Sequence, residues 1–310
     1  MPSDAGRPSW AVEGRDWPNR SFSRFVRAGD MVWHVQQMGA GPELLLLHGT
    51  GAATHSFRDF LPALARHFTV LCPDLPGHGF SDMPPRRDLS LPGMARLVAD
   101  LLAGTGFAPK LAVGHSAGAA ILLALALQRQ IRPDAIIALN GALRPIRGAA
   151  LFSPLARMLS WNPLVPRLVA RRALDWEASR RLIEGTGSHI DARGIELYAR
   201  LFQKPGHVAA TLGMMARWDL GWLDRRLGML DLPLVLMTAA GDLAVSPVDA
   251  TIVSRKVPSA LVVTLDEGGH LVHEERPCEI ANLVVRLAAE AREKSDACMK
   301  NLLSRPGAAS

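Results

Sequence analysis

The chain has 310 residues, 48% of them hydrophobic, so it can bury a large core as one sizeable domain with an insertion or as two modest domains. Its three cysteines, Cys72, Cys278 and Cys298, stand far apart, which points to a reducing compartment and away from a disulfide scaffold or a thiolate metal cluster. The net charge is +6, and the segment from Arg144 to Arg226 carries the whole excess, with fourteen Lys/Arg against seven Asp/Glu.

The opening segment, Met1–Arg20, is polar and lacks the apolar core of a secretory signal. It reads as an irregular arm that Trp10, Trp17 and Pro18 can pin to the body. Phe22–Arg27 and Met31–Gln37 alternate as two strands joined by a turn at Ala28-Gly29-Asp30. Leu44–Leu47 is apolar throughout, as in a strand buried on both faces of a mainly parallel sheet, and it ends at His48-Gly49-Thr50-Gly51. A helix is expected over Ser56–Arg66, then a strand at Thr69–Cys72 running into the turn-rich Pro73-Asp74-Leu75-Pro76-Gly77-His78-Gly79-Phe80-Ser81. Leu91–Leu102 reads as a helix. Leu111–Val113 reads as a strand that enters Gly114-His115-Ser116-Ala117-Gly118, and a helical run, Ala119–Leu127, follows at once. Ala135–Leu139 is a further strand. Strands alternating with helices indicate β-α-β units, and ligands of such sheets bind at the carboxyl ends of the strands.

The alternation stops near Arg144. The next eighty residues hold helical pieces, Leu155–Leu159, Leu164–Leu174, Ala178–Ile183, Gly194–Phe202 and Val208–Met215, separated by Pro and Gly. They read as an inserted helical cap rich in Trp, Met and Leu, among them Met158, Trp161, Trp176 and Met214. Most of these residues pack; a minority can line an apolar pocket. The basic excess of the cap suits an anionic substrate, an acidic protein or an anionic membrane face. Surplus arginine on a solvated helical face is the plain alternative. The sheet resumes at Leu234–Thr238, ending at Gly241-Asp242. A helix (Pro247–Val257), a strand (Ala260–Leu265), Glu267-Gly268-Gly269-His270 and a last helix from Pro277 to Glu293 follow. The expected divisions are an arm over 1–21, a core over 22–143 and 227–295, a cap over 144–226 and a fraying tail over 296–310.

Gly-x-Ser-x-Gly between a strand and a helix is a nucleophile elbow. The turn is so sharp that its serine is strained, and small residues at Gly114 and Gly118 let strand and helix pass closely. A serine hydroxyl needs a base, and the base needs an acid to hold its tautomer. Ser116, Asp242 and His270 occur in the order that this architecture requires. His273 is a rival base, and Asp266 and Glu267 are rival acids that precede the histidine too closely to reach it from a separate strand. An oxyanion needs two N–H donors. Ala117, the residue after the nucleophile, supplies one. Thr50 is the expected second, with Gly49 and Gly51 as alternatives. His48 either orients that loop or is a structural hydrogen-bond partner. His115 and His78 read as structural.

Together, His48-Gly49, Asp74-x-x-Gly77-x-Gly79-x-Ser81, Gly114-x-Ser116-x-Gly118, Gly241-Asp242 and Gly269-His270 resemble the α/β-hydrolase superfamily over about residues 22–295. The fold this implies is α/β, a mainly parallel central sheet flanked by helices, with an inserted helical cap. Serine at the elbow sets the chain apart from the superfamily's haloalkane dehalogenases and epoxide hydrolases, whose nucleophile is an aspartate. Five further segments resemble a narrower group, the magnesium-chelatase-associated hydrolases of bacteriochlorophyll biosynthesis. They are Arg15-Asp16-Trp17-Pro18-Asn19-Arg20, Trp33 to Gly39, Ser90 to Met94, Leu139-Asn140-Gly141-Ala142-Leu143 and Lys204-Pro205-Gly206-His207-Val208. That resemblance implies a photosynthetic bacterium, a tetrapyrrole pathway and an association with magnesium chelatase.

The resulting expectation is an esterase-like serine hydrolase with an acyl-enzyme mechanism, acting on a small apolar, anionic molecule such as a tetrapyrrole. The competing reading is a non-catalytic tetrapyrrole-binding or chelatase-assisting protein. No cofactor is expected: the chain has no Gly-x-Gly-x-x-Gly after a strand and no phosphate loop. Nor does it show metal-ligand spacing or a nucleic-acid-binding motif. The longest unbroken apolar run, near Ala119–Leu127, falls well short of the ~20 residues that cross a bilayer. A cytoplasmic location is expected, with peripheral membrane contact through Leu151–Ala173 as an option.

Overall fold

Leu44 to Leu47 are apolar at every position because both faces of their strand are covered. Leu45 and Leu47 enter one buried cluster, Leu44 and Leu46 the other, and all four are fully buried. A computed structural model describes residues 6–145, 162 and 164–303. Its eight strands are β1 (Ser23–Ala28), β2 (Met31–Met38), β3 (Glu43–Leu47), β4 (Thr69–Pro73), β5 (Leu111–His115), β6 (Ala135–Leu139), β7 (Leu234–Ala239) and β8 (Ala260–Leu265). They form one sheet in the order β1-β2-β4-β3-β5-β6-β7-β8. β1 pairs antiparallel with β2, and β2 with β4; every other pairing is parallel. The chain leaves β3 toward one edge and returns on the other side of it at β5. The order therefore reverses beside β3 and β5, where the loops carrying Gly49–Gly51 and Ser116 emerge, and such a reversal is where open α/β sheets form their binding crevice.

Helices cover both faces. α2 (Leu91–Thr105) and α3 (Ala117–Leu127) contribute to the cluster that holds Leu45 and Leu47. α1 (Phe60–Leu64) and the start of the last helix, with Ile280, Val284 and Leu287, contribute to the opposite one. α3 is apolar around its whole circumference, and ten of its eleven residues are buried; such a helix belongs inside the fold.

Every regular element among the described residues from 144 to 226 is helical. These are α4 (Leu164–Arg172), α5 (Trp176–Glu184), α6 (Ala192–Phe202), α7 (Pro205–Arg217), α8 (Leu220–Asp224) and the start of a 3-10 turn, Leu227–Met229, just beyond. The side chains of Asp175, Asp191 and Asp219 cap α5, α6 and α8 by accepting first-turn amides. The expected helix Leu155–Leu159, with Met158 and Trp161, lies outside the described residues. α9 (Val248–Ser254), α10 (Val272–Glu275) and α11 (Pro277–Leu303) complete the chain.

Three elements differ from expectation. The helix over Ser56–Arg66 is split into a 3-10 turn, Thr54–Phe57, and α1. Pro62 explains this: it lacks an N–H and is tolerated only in a helix's first turn, so the helix must start close before it. α10 lies between His270 and Pro277, where no element is expected. α11 continues to Leu303 rather than ending at Glu293, since no Gly or Pro interrupts the sequence before Pro306.

The arm is bound at both ends of its described length. Trp17 is buried with Ala53, Phe80, Leu197 and Leu201, and its indole N–H donates to Thr54 Oγ1 at 3.0 Å. Asp16 pairs with Arg193 and Arg200 of α6 at 2.6 Å each, and Gly206 N donates to Gly6 O at 2.7 Å. Residues 6–20 thus touch core and cap together.

Candidate active site

Ser116 lies between the last residue of β5 and the first of α3 with φ 52° and ψ −116°. A non-glycine residue there is strained, a conformation that persists only where surrounding contacts impose it. A Cβ on Gly114 would lie 2.5 Å from Ala119 N, and one on Gly118 would lie 2.3 Å from Leu47 O. Strand, helix and β3 are packed too closely for any side chain at either position. Ser116 N donates to Leu139 O at 3.1 Å, and Ser116 O accepts from Ala119 N and Ala142 N. Ala117 opens α3, so its amide is one of the first-turn N–H groups without an intrahelical partner.

The loop after β3 runs beside the serine: a Cβ on Gly49 would stand 3.0 Å from Ser116 Cβ. Two buried histidines hold this loop. Leu75 N donates to His48 Nε2 at 2.9 Å, so Nδ1 carries the proton and donates to Gly49 O at 2.8 Å. Gly79 N donates to His207 Nδ1 at 3.1 Å, so Nε2 donates to Gly51 O at 3.0 Å. Burial holds both imidazoles below the usual histidine range, His207 at about 4. A trans peptide points its N–H opposite to its C=O. Fixing Gly49 O toward His48 therefore aims Thr50 N–H away from His48. The Thr50 hydroxyl donates to Met214 Sδ of α7 at 3.6 Å.

His270 and Asp242 end in contact. Asp242 Oδ2 lies 2.8 Å from His270 Nδ1, while Asp242 Oδ1 accepts from Ala244 N and Val245 N, both at 2.8 Å. With the carboxylate as acceptor, the proton sits on Nδ1 and the basic lone pair on Nε2. The main chain of His270 is held as well. Its carbonyl accepts from His115 Nε2 and Asn140 Nδ2, each at 2.9 Å, and its N–H donates to Thr186 O at 3.3 Å. Asn140 also donates to Gly269 O at 3.0 Å and accepts from Ala239 N at 2.9 Å, tying β6, β7 and the histidine loop together.

Thr186 belongs to the cap, and its carbonyl also accepts from Leu243 N at 3.1 Å. Ser188 Oγ accepts from Leu271 N at 2.8 Å. Between them Gly187, at φ +81°, is so close to the acid loop that a Cβ would sit 2.0 Å from Gly241 O. A Cβ on Gly269 would likewise lie 2.2 Å from Gly187 O. Glu275 completes the seam, accepting from His189 N at 2.6 Å and Gly269 N at 2.8 Å. A cap turn is thus wedged between the loops that carry Asp242 and His270.

The rival residues lie elsewhere. His273 is fully buried with Nε2 3.0 Å from Ser56 Oγ, and burial pushes its pKa down to about 3. Its ring is 4.4 Å from His115, whose ring is 4.6 Å from His270. Asp266 and Glu267 follow β8 at the surface. His78 is buried against His48 and His207, with Nδ1 3.1 Å from Pro76 O.

Behind His273 lies a polar cluster that the sequence did not announce. Glu274, fully buried, accepts from Ser56 Oγ at 2.6 Å and from Tyr198 OH of α6 at 2.8 Å, and pairs with Arg58. Arg58 also reaches Asp191, the cap residue of α6, at 2.9 Å. Burial raises the Glu274 pKa against the opposing pull of Arg58. Asn140, His207, Thr186, Ser188 and this cluster were not assigned roles from sequence. The only available signal was that Asn140 and His207 lie in segments shared with the magnesium-chelatase-associated group.

Comparison with known proteins agrees with this geometry at the level of family. The model of the alpha/beta hydrolase fold family matches residues 42–277. A protein of Rhodobacter capsulatus named magnesium-chelatase 30 kDa subunit is 39% identical over 84% of this chain and 92% of its own length. A pimeloyl-[acyl-carrier protein] methyl ester esterase of Xanthomonas campestris is 30% identical over 83% of this chain and 98% of its own. Among solved structures, an alpha/beta hydrolase fold protein from Burkholderia ambifaria superimposes with a TM-score of 0.73 at 21% identity, covering 86% of this chain and 97% of that one.

Proposed function

The chain belongs to the α/β-hydrolase family, and within it we propose a serine hydrolase of carboxylic esters in, or in support of, the magnesium-tetrapyrrole pathway. The catalytic reading is carried by two observations, a strained Ser116 at the elbow and a His270 whose Nδ1 is committed to Asp242 at 2.8 Å. Ser116 Oγ attacks the ester carbonyl while His270 Nε2 takes its proton, and Asp242 stabilises the imidazolium. The oxyanion is received by the N–H groups of Thr50 and Ala117, with His48 as the residue that aims the first. His270 then returns its proton to the leaving alcohol. Water, deprotonated by the same histidine, hydrolyses the acyl-enzyme and frees the acid.

The pathway reading rests on the relative named magnesium-chelatase 30 kDa subunit. The basic, Met- and Trp-bearing cap suits an apolar molecule carrying carboxylates. The same relative's name supports a second reading, in which the chain binds a tetrapyrrole or assists the chelatase without turnover.

The test is treatment of the folded protein with a fluorophosphonate probe and location of the adduct by mass spectrometry. A single adduct on Ser116, lost in His270→Ala, is expected. A folded protein that stays unlabelled overturns the catalytic reading. In a strain lacking the gene, rescue by Ser116→Ala would assign the pathway role to binding, and failure to rescue would assign it to catalysis.

A further inference from the structure

Half of the described cations between 144 and 226 are committed to carboxylates. Arg144 pairs with Asp249, Arg180 with Glu177 and Glu184, Arg193 and Arg200 with Asp16 and Glu196, and Lys204 with Glu13. On α4, three arginines lie within six residues, Arg167, Arg171 and Arg172: all three are exposed, and none pairs with a carboxylate among the described residues. From Leu164 to Leu174 the sequence has three arginines and no acidic residue.

Two sets of apolar residues stand out on α4, with Val165 and Val169 on the flank between them. Pro166, Ala170 and, just past the helix, Ala173 are buried. At about 100° per residue, Leu164 and Leu168 lie opposite them, with Arg167 and Arg171 to one side and Arg172 to the other. Leu164 is 56% exposed, Leu168 64%, and Leu174, in the turn into α5, 67%. Trp176 follows at the start of α5 and is also exposed. A solvent-facing helix surface is ordinarily polar along its centre. Here the centre is leucine and the margins are guanidinium. The helix is held in this orientation by its buried side and by Gln203 Nε2, which donates to Ala173 O at 3.1 Å.

We propose that the outer face of α4, with the turn into α5, docks on an anionic lipid membrane. Leucines at the centre of the face reach the acyl boundary, and long arginine side chains beside them place their charge at the headgroup phosphates. A protein partner would have to supply a shaped pocket for each leucine and a placed carboxylate for each of three arginines. This face is the outer side of a single helix, a narrow leucine stripe with cations along both margins. A lipid surface supplies acceptors that move to each guanidinium. The proposal stands apart from the catalytic reading, because it concerns only where the protein resides.

The experiment is co-sedimentation of the full chain with vesicles of equimolar phosphatidylglycerol and phosphatidylcholine, and with vesicles of phosphatidylcholine alone. The wild type is expected to pellet with the anionic vesicles, less so as salt is raised, and to stay in solution with the neutral ones. The variant Arg167→Gln/Arg171→Gln/Arg172→Gln should lose affinity on the order of 100-fold. Leu164→Ser/Leu168→Ser should also weaken binding, with the full charge retained. An equal charge loss on the core, Arg66→Gln/Arg129→Gln/Arg286→Gln, should leave binding near wild type. A wild type that ignores anionic vesicles overturns the proposal, as does equal loss in the cap and core variants, which would reduce the effect to net charge.

Discussion

Lowering the pH from 7 to 5.5 should unfold this protein far more readily than it would an average domain, and the reason is its histidines. Of ten in the sequence, eight are buried. Burial pushes His55, His78 and His115 well below the usual value, His207 to about 4 and His273 to about 3. Released into the unfolded chain, each returns to a pKa of about 6.5. The depressed folded pKa fixes the sign. Stability is fully present above about pH 6.5 and is lost below it, because the unfolded chain takes up protons that the native state refuses. Between pH 7 and 5.5 each such group favours unfolding by about 1 kcal/mol, so the five together remove several kcal/mol. That is comparable with the roughly 5–15 kcal/mol that holds a typical domain folded. The buried carboxylate of Asp74 is held well below the usual range by His34 and backbone donors, so its contribution falls away only at lower pH. Urea unfolding at a series of pH values measures the slope. His55 supplies an internal control. Neither of its ring nitrogens has a hydrogen-bond partner among the described residues, and it packs between Trp17 and Tyr198. His55→Leu should lessen the loss between the two pH values by about 1 kcal/mol. A stability that is level from pH 7 to 5.5 refutes the reasoning.

Three other perturbations test the seams between cap and core. Gly187→Ala forces a Cβ to within 2.0 Å of Gly241 O, and a shift of the acid loop by about 1 Å should slow labelling of Ser116 about 100-fold; Gly106→Ala, also at positive φ but with open space around it, should label at the wild-type rate. Glu274→Gln strips the charge that balances Arg58 and should cost about 3–5 kcal/mol in urea unfolding, much of it recovered in Arg58→Met/Glu274→Leu; an unchanged midpoint would mean that the pair contributes no stability. Trp17→Ala removes the indole from among Phe80, Leu197 and Leu201 and should cost about 3–5 kcal/mol, with faster amide exchange in α6; protection equal to wild type would show that the arm does not brace that helix.

The fold was legible because its signals are local. An all-apolar Leu44–Leu47, a Gly-rich elbow and alternating strands and helices are each readable within a few residues, and the sheet follows. The positions of Ser116, Asp242 and His270 at strand ends were legible for the same reason. The seam was not. Thr186 meets Leu243 and His270 across more than fifty residues of chain, through a backbone carbonyl that any residue type possesses. A Cβ on Gly187 would run into Gly241 and one on Gly269 into Gly187, and composition alone does not tell such crowding from a loose turn. Tyr198, Arg58 and Glu274 come from three separate segments, and each alone reads as an ordinary surface residue. The end of α11 was misjudged because polar residues were read as fraying when they are also good helix formers.

The wedged turn at Thr186–Ser188 changes what the cap is. Caps in such folds invite treatment as interchangeable parts, to be exchanged between relatives in search of new substrates. In this chain an exchange made at the natural borders of the insertion would remove the carbonyl that holds His270 N and the hydroxyl that holds Leu271 N. A chimera that takes a foreign cap must keep residues 186–189 from this chain and the glycines opposite them. Sequence changes aimed at specificity can be spread along α4 to α7, while the short turn between α5 and α6 has to travel with the loops of Asp242 and His270.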